Sequence, residues 1–255
     1  RSDDLPGIHA GPSDRKAIGP CCCQSLFIKI ERVFFVLIDL THTITSKVPV
    51  LPGDPPVVFS HAATLTGDGF RTTALSFSSH TGTHMDAPSH LLLTGSSLDQ
   101  MPISQFSGRA TVLDVSELGP VITEEFLQSR HDAILCADFI LLYTGWESRW
   151  GSERYLEDAF PVPEENAAKF LASCGLKGLG TDAASVDRLT GPLPVHTALM
   201  KSGAVILEAL CLKKVRGRKD FLFFAPPMKF QDADGAPVRA FADLRENFEK
   251  ERRKR

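Results

Sequence analysis

Short apolar runs bounded by turn residues dominate the middle of the chain and predict a β-rich fold. Residues 27–40 favour β-branched and aromatic side chains in imperfect alternation, which is typical of a buried strand. Further strands are predicted at four later runs, which are 57–59, 72–77, 111–115 and 139–143. The last two are almost continuously apolar, as central strands buried on both faces usually are.

Helices are fewer, and end signals mark them. Thr123 is suited to be an N-cap, and the acidic residues that follow it match the positive end of a helix dipole. A second helix is predicted over residues 163–173, with Pro163 at its start and Gly175 just past its end.

The C-terminal third continues this alternation. A helix is predicted over residues 195–202, closed by Gly203, and residues 204–207 then read as a buried strand. Residues 241–255 favour a helix and carry many charges. Strands with interspersed helices predict an α/β or α+β fold in one domain.

Both ends of the chain differ from its centre. Residues 1–25 contain several prolines and glycines and show no regular hydrophobic period, which predicts a disordered extension. We therefore expect an extension over 1–25, a folded domain over 26–243 and a charged tail over 244–255. A run of cysteines at 21–23 has no assigned role.

Composition excludes several classes of protein. The 255 residues carry 28 Lys and Arg against 31 Asp and Glu, so the chain lacks the basic surface that nucleic-acid binding requires. The most apolar run, residues 33–38, is far too short to span a bilayer. Cys136, Cys174 and Cys211 stand singly in apolar stretches and are interpreted as buried thiols. This cysteine usage favours a reducing compartment such as the cytoplasm.

One segment stands apart because it concentrates metal-binding side chains. Three of the eight histidines lie within residues 79–90, together with an aspartate, and these side chains are His80, His84, Asp86 and His90. Imidazole and carboxylate are the ligands that zinc and similar divalent ions prefer. Polar groups held this close would cost several kcal/mol unless something satisfied them. The spacing therefore predicts a metal or catalytic site, in which Asp86 could bridge two ions.

A second candidate region lies more than a hundred residues further on. His196 falls at the start of the helix predicted over 195–202, and Glu208 directly follows a buried strand. An enclosed carboxylate needs a cation or several donors. Taken singly, each residue is more often structural, and a functional role depends on whether it meets the first cluster in space. The remaining histidines are interpreted as hydrogen-bonded core residues, namely His9, His42, His61 and His131.

These motifs resemble those of the metal-dependent cyclase-like hydrolases, a family that includes bacterial kynurenine formamidase and isatin hydrolase. The family signature His-x-Gly-Thr-His-x-Asp-x-Pro-x-His is complete here, as His80, Gly82, Thr83, His84, Asp86, Pro88 and His90. Segments at 52–55 (Pro-Gly-Asp-Pro), 142–146 and 180–187 also look like family segments in family order. The resemblance extends from residue 37 to residue 240.

The resemblance implies a swivelling β/β/α fold and a centre with two divalent metal ions, usually zinc and sometimes manganese. By resemblance, the first ion is held by His80, His84 and Asp86. The second is held by Asp86, His196 and Glu208. His90 matches the catalytic histidine of the family. Family members also form homodimers or homotetramers.

One position departs from the family pattern. Kynurenine formamidases place an aromatic side chain before the Pro-Gly-Asp-Pro segment, where it packs on the substrate's ring, whereas this chain has Leu51. The expected activity is hydrolysis of a small aromatic amide such as N-formylkynurenine. Leu51 leaves open a cyclic amide or imide such as isatin, because an aliphatic side chain lacks a stacking face. A metal-binding protein without catalysis is the remaining alternative.

Overall fold

The computed structural model describes residues 36–244. The predictions for the extension over 1–25, for His9, for the cysteines at 21–23 and for residues 245–255 lie outside the described residues. The first predicted strand, at 27–40, is described only from residue 36 onward, where it forms a short strand, Leu37–Asp39.

The described residues form thirteen strands and five α-helices. The strands β1 to β13 are, in order, Leu37–Asp39, Val58–Ala63, Thr72–Ser76, His84–Asp86, Ser107–Asp114, Val121–Ile122, Phe139–Tyr143, Val162–Pro163, Gly178–Thr181, Val205–Glu208, Phe221–Phe224, Gly235–Pro237 and Phe241–Asp243. The helices α1 to α5 are Leu65–Asp68, Glu124–Gln128, His131–Leu135, Glu165–Ser173 and Pro194–Lys201. Five short 3-10 helices lie at Pro88–His90, Ile103–Phe106, Trp146–Arg149, Glu153–Leu156 and Lys213–Val215.

A nine-stranded mixed sheet organises the domain. Its strand order is β1-β13-β11-β5-β7-β9-β10-β4-β12. The central strands β5, β7, β9 and β10 are parallel to one another, and the strands on both sides pair antiparallel. Two smaller sheets are formed by the hairpin β2–β3 and by the pair β6–β8. The expected mixed α/β single domain is confirmed.

The central strands are buried on both faces, which explains their continuous apolar sequence. Along β7, Phe139 and Leu141 pack into one hydrophobic cluster, with residues of β11 and β13. Ile140 and Leu142 point to the opposite face and pack with residues of α2, α4 and α5. The alternation of side chains along a strand therefore builds two cores around one sheet.

Most predicted elements are confirmed near their expected bounds, including the strands around 58, 72, 111 and 139. The Thr123 side chain accepts a hydrogen bond from the N–H of Phe126, as an N-cap should. The prediction for Pro163 is wrong: Val162–Pro163 is a strand paired with β6, and the helix starts only after Glu164. Proline is tolerated both at the edge of a sheet and in the first turn of a helix, so its presence does not distinguish the two.

Two other predictions are corrected. Phe241–Asp243 was expected to begin a helix but forms a strand between β1 and β11, because pairing on both sides outweighs local helix propensity. Cys136 is exposed rather than buried, and Cys174 and Cys211 are partly buried. None of the helices within residues 36–244 has the length and apolar character needed to cross a membrane.

Candidate metal centre

The histidine-rich segment forms the short strand β4 and the turns on either side of it. Gly82 has φ of +68°, a conformation that suits glycine, and it lets the chain turn sharply before His84. Strand β4 pairs with β10 on one side and β12 on the other, and all its residues are buried. His90 ends the 3-10 helix that follows, with Pro88 at its start. The local sequence thus places His80, His84 and Asp86 on a fixed backbone.

Strand pairing brings Glu208 to this segment. In the antiparallel ladder between β4 and β10, Glu208 lies directly opposite His84. Residues opposite each other in such a ladder project to the same face of the sheet. The Oε2 atom of Glu208 is accordingly 3.5 Å from Nε2 of His84, and both side chains are buried. A distant part of the chain therefore completes the cluster.

His196 reaches the cluster from the first turn of α5. Asp187 accepts hydrogen bonds from the backbone N–H groups of Val195 and His196, so its carboxylate caps this helix. The same carboxylate is 2.7 Å from Nδ1 of His196. Nε2 of His196 then lies 3.5 Å from Oδ2 of Asp86 and 3.3 Å from Oε1 of Glu208.

Two sets of donor atoms share Asp86. Within each set, the donor atoms lie within 4.8 Å of one another, and the sets are His80, His84 and Asp86, and Asp86, His196 and Glu208. Oδ1 of Asp86 lies 2.7 Å from Nδ1 of His80 and 3.3 Å from Nε2 of His84, whereas Oδ2 faces His196. These are the five side chains singled out in the sequence, and the structure brings all of them together.

Hydrogen bonds behind two of the rings fix which nitrogen faces the cluster. Nδ1 of His84 is 2.9 Å from the carbonyl oxygen of Gly82, which can only accept, so Nδ1 carries the hydrogen. Nδ1 of His196 donates to the Asp187 carboxylate in the same way. Nε2 of each ring is therefore free of hydrogen when the ring is neutral, and it points at carboxylate oxygens. Hydrogen-bond partners behind the ring impose this arrangement on metal-binding histidines.

The buried carboxylates dominate the electrostatics of the cluster. Burial disfavours the charged form of His80, but Asp86 and Asp234 outweigh it and raise its pKa to about 9. For His196, burial is likewise outweighed by Asp187, Asp86 and Glu208, which raise the pKa to about 12. Burial alone would raise the pKa of Asp86, yet the neighbouring histidines hold it well below the usual range. Such a site attracts positive charge, and a divalent cation would take the place of protons.

His90 differs from the other histidines of the cluster. Its ring lies 4.3 Å from that of His80 and 6.4 Å from that of His196, measured between centroids. Burial and the neighbouring histidines lower its pKa, although nearby carboxylates oppose this effect. A neutral imidazole beside the cluster can accept a proton, which is the property that a general base needs.

A cavity of about 270 Å³ opens onto the cluster. Leu51 lies on its wall with 40% of its surface exposed. Trp150 and Tyr155 line the same cavity and contact each other edge to face, with ring centroids 4.9 Å apart. The ring of His42 stacks on Trp150 at 4.0 Å with an interplanar angle of 10°. The cavity therefore has aromatic walls although Leu51 is aliphatic.

Some histidines predicted to be core residues are not. His61 and His131 are exposed, so that prediction is wrong for both. His42 is partly buried, and its Nε2 has no hydrogen-bond partner among residues 36–244. Burial lowers the pKa of His42 to about 4, so the ring that stacks on Trp150 is neutral.

Two carboxylates at the site were not singled out from the sequence. Asp187 is the last residue of the family-like segment 180–187, and Asp234 directly precedes Gly235. Asp187 holds His196, and Oδ2 of Asp234 lies 3.0 Å from Nε2 of His80. The position of Asp187 in a family-like segment was a usable signal, but nothing in the local sequence links either carboxylate to a histidine.

Known proteins resemble this chain in both sequence and fold. A family model for cyclases, described as "Putative cyclase", matches residues 38–188. The kynurenine formamidase of Salinibacter ruber is 35% identical over 208 residues, which cover 80% of this chain and 95% of that protein.

Solved structures give the same result for the fold. Isatin hydrolase A from Labrenzia aggregata, bound to benzyl benzoate, superposes with a TM-score of 0.74 and 25% identity, covering 83% of this chain and 94% of its own. Isatin hydrolase A from Ralstonia solanacearum gives 0.73 and 26%, covering 82% of this chain and 92% of its own. The family model stops before His196 and Glu208, so their place at the site rests on the geometry above.

Proposed function

Because the chain belongs to the cyclase family of metal-dependent hydrolases, we propose that it hydrolyses the C–N bond of an aryl formamide with the help of two divalent metal ions. The observation that carries the proposal is the pair of donor sets sharing Asp86. The relatives named kynurenine formamidase make N-formylkynurenine the first substrate to test.

The side chains present fit such a centre. One ion would be held by His80, His84 and Asp86, and the other by Asp86, His196 and Glu208. Three imidazoles and two carboxylates suit zinc, and they also accept manganese. The hydrogen bonds from His84 to Gly82 and from His196 to Asp187 already turn a free nitrogen toward the carboxylates. We propose zinc as the resident metal.

Catalysis then needs a group that moves protons. When bound, divalent ions of this kind lower the pKa of a water molecule and polarise a carbonyl oxygen. His90 belongs to neither ligand set proposed here, lies beside both and favours its neutral form. It would accept a proton from the attacking water and pass it to the departing amine. The products would be a free arylamine and formate.

The cavity supports an aromatic substrate despite Leu51. Trp150 and Tyr155 supply aromatic surface beside the metal cluster, and Leu51 adds an apolar wall. Aromatic rings gain about 0.5–1.5 kcal/mol from packing on each other beyond the area that they bury. We propose that Trp150 contacts the substrate's ring, in the role that the aromatic residue before the Pro-Gly-Asp-Pro segment has in the family.

A cyclic amide is the second candidate. The isatin hydrolases resemble this chain in fold at 25% and 26% identity, and one of them is bound to benzyl benzoate, a ligand with two aromatic rings. Opening a cyclic amide would use the same metals and the same proton transfer. An aromatic residue at position 51 would have favoured N-formylkynurenine, and Leu51 therefore makes the cyclic amide a stronger candidate.

A direct assay separates these activities. Zinc-loaded protein would be incubated with N-formylkynurenine and isatin in parallel, beside its His90→Ala variant. We expect turnover of N-formylkynurenine that exceeds turnover of isatin and depends on His90. Preferential opening of isatin would establish the alternative. Zinc binding without turnover of either compound, or of related aryl formamides and lactams, would favour a binding protein.

We further propose that the protein is a homodimer or homotetramer. The hairpin β2–β3 leaves nearly all its residues exposed, including Phe59 and Leu75, which lie opposite each other on the same face. Phe70, beyond α1, is exposed as well. A two-stranded hairpin is at best marginally stable in water without further packing. A second copy of the chain would supply that packing.

The proposed compartment is the cytoplasm. Cys136, Cys174 and Cys211 are free thiols, and one of them is exposed. Free thiols persist in a reducing compartment.

A further inference from the structure

His80 is held between two carboxylates, one on each ring nitrogen. Nδ1 lies 2.7 Å from Oδ1 of Asp86, inside the first donor set. Nε2 lies 3.0 Å from Oδ2 of Asp234, on the opposite side of the ring. His84 is oriented by the carbonyl of Gly82 in its own segment, whereas the outer partner of His80 comes from a distant part of the chain. Asp234 is 154 residues away from it in the chain.

The backbone around Asp234 is fitted to the His80 ring. Strand β12 pairs with β4 so that Gly235 lies opposite Asp86, and the carbonyl of Asp234 accepts a hydrogen bond from Ala87. A Cβ atom on Gly235 would come within 2.6 Å of Cε1 of His80. Since real Cβ atoms do not approach that closely, only glycine lets this strand run against the imidazole.

We propose that Asp234 is a positioning residue that keeps a hydrogen on Nε2 of His80 and so presents Nδ1 to the first metal ion. A carboxylate can only accept, so Nε2 donates to it and Nδ1 is the nitrogen left free in the neutral ring. Nδ1 is also the nitrogen that faces Asp86. The inference rests on the proposed metal centre and adds a residue that neither the motif nor the donor sets assign.

Asp234 acts on the proposed metal centre through His80 rather than through His90. Nδ1 of His90 is 3.9 Å from Oδ2 of Asp234, which is too long for a hydrogen bond. His80, His90 and Asp234 could alternatively bind an ion of their own, because their donor atoms also lie within 4.8 Å of one another. The two arrangements differ in how many ions are lost when the carboxylate is removed.

The test compares Asp234→Ala and Asp234→Asn with Asp232→Asn. Asp232 is exposed in the same loop at φ of +55°, a conformation that asparagine tolerates. Asp232→Asn therefore removes the same charge as Asp234→Asn without touching His80 and serves as the control. Zinc affinity would be measured by competition with a chelator, and zinc content at saturation by elemental analysis. We expect Asp234→Ala to weaken zinc binding about 10- to 100-fold. Asp234→Asn should weaken it less, since an amide oxygen still accepts, and Asp232→Asn should match the unchanged protein.

A second readout reports the ring itself. Histidine ring ¹⁵N shifts of the zinc-loaded protein should show His80 bound through Nδ1 with its hydrogen on Nε2. That hydrogen should exchange faster in Asp234→Ala, while the His84 and His196 signals stay unchanged. A His80 bound through Nε2, equal affinity in Asp234→Ala and Asp232→Asn, or loss of one whole ion at saturation would overturn the proposal. Absence of zinc binding by the unchanged protein would instead overturn the proposed function as well.

Discussion

The histidine and carboxylate cluster proposed to bind metal and the hairpin β2–β3 are built in opposite ways. In the cluster, β4 is paired on both sides, and each side chain proposed as a ligand lies within 3.5 Å of an oppositely charged group of the site. The Thr83 hydroxyl even ties β4 to the carbonyl of Ala209, next to Glu208. In the hairpin, each strand pairs only with the other among the described residues, and nearly every side chain is exposed.

This difference suggests separate roles for the two regions, namely metal binding for the cluster and association between chains for the hairpin. The groups proposed to bind metal are positioned by the chain's own core, so each protomer should hold its ions without help. The hairpin leaves its apolar side chains exposed among the described residues, and this is the surface on which we propose that a second copy packs. Substitutions in the cluster should therefore abolish metal binding or turnover, whereas substitutions in the hairpin should change association.

The largest effect is expected from Glu208→Ala. Removing this carboxylate takes a ligand from the second ion. It also removes the negative charge that lies beside His84 and His196. Zinc content should fall by one ion per chain, and hydrolysis should drop to the level of the metal-free protein. Glu157→Gln, which changes an exposed carboxylate, is the control. Full zinc content in Glu208→Ala would remove Glu208 from the centre.

His90→Ala tests the proton transfer apart from metal binding. The variant should keep its zinc, because His90 belongs to neither proposed ligand set. Its kcat should fall about 10²- to 10⁴-fold, the range typical of a lost general base. Elemental analysis and steady-state kinetics on the same sample would check both. Unchanged turnover would show that another group moves the proton.

Trp150→Leu addresses the cavity wall and should act mainly on binding. Loss of ring packing costs about 1 kcal/mol, so KM for an aryl formamide should rise about 5- to 10-fold with kcat nearly unchanged. KM for an aliphatic formamide provides the matched comparison and should not rise. Equal changes for both substrates would mean that Trp150 shapes the cavity without contacting the ring.

The smallest effect on turnover is expected from Phe59→Ser combined with Leu75→Ser. The pair lies on one face of the hairpin, where the proposed neighbour would cover it. Sedimentation equilibrium should show a dimer dissociation constant raised at least about tenfold, since each buried apolar side chain contributes about 1.5–3 kcal/mol. Ile103→Ser, also exposed but outside the hairpin, serves as the control. Unaltered association of the double variant would place the interface elsewhere.

The sequence predicts the part of the site whose residues are close together in the chain better than the parts that depend on contacts between distant segments. His84 and Asp86 are neighbours in one motif, so residue chemistry and spacing alone indicate a metal site. For Glu208, the local sequence left the role open and the family resemblance supplied the assignment, because only the pairing of β4 with β10 brings this residue to His84. Asp234 was missed for the same reason, because its histidine lies 154 residues away. The strand Phe241–Asp243 was mistaken for a helix because its pairing partners are equally remote.

The proposed binuclear centre is tested most directly by titrating metal-free protein with zinc while following both bound metal and hydrolysis. We expect binding to saturate at two ions per chain and activity to appear only as the centre fills. Hydrolysis by the metal-free protein at the rate of the loaded protein would contradict it. Zinc binding that is unchanged when His84 or Glu208 is replaced by alanine would contradict it as well.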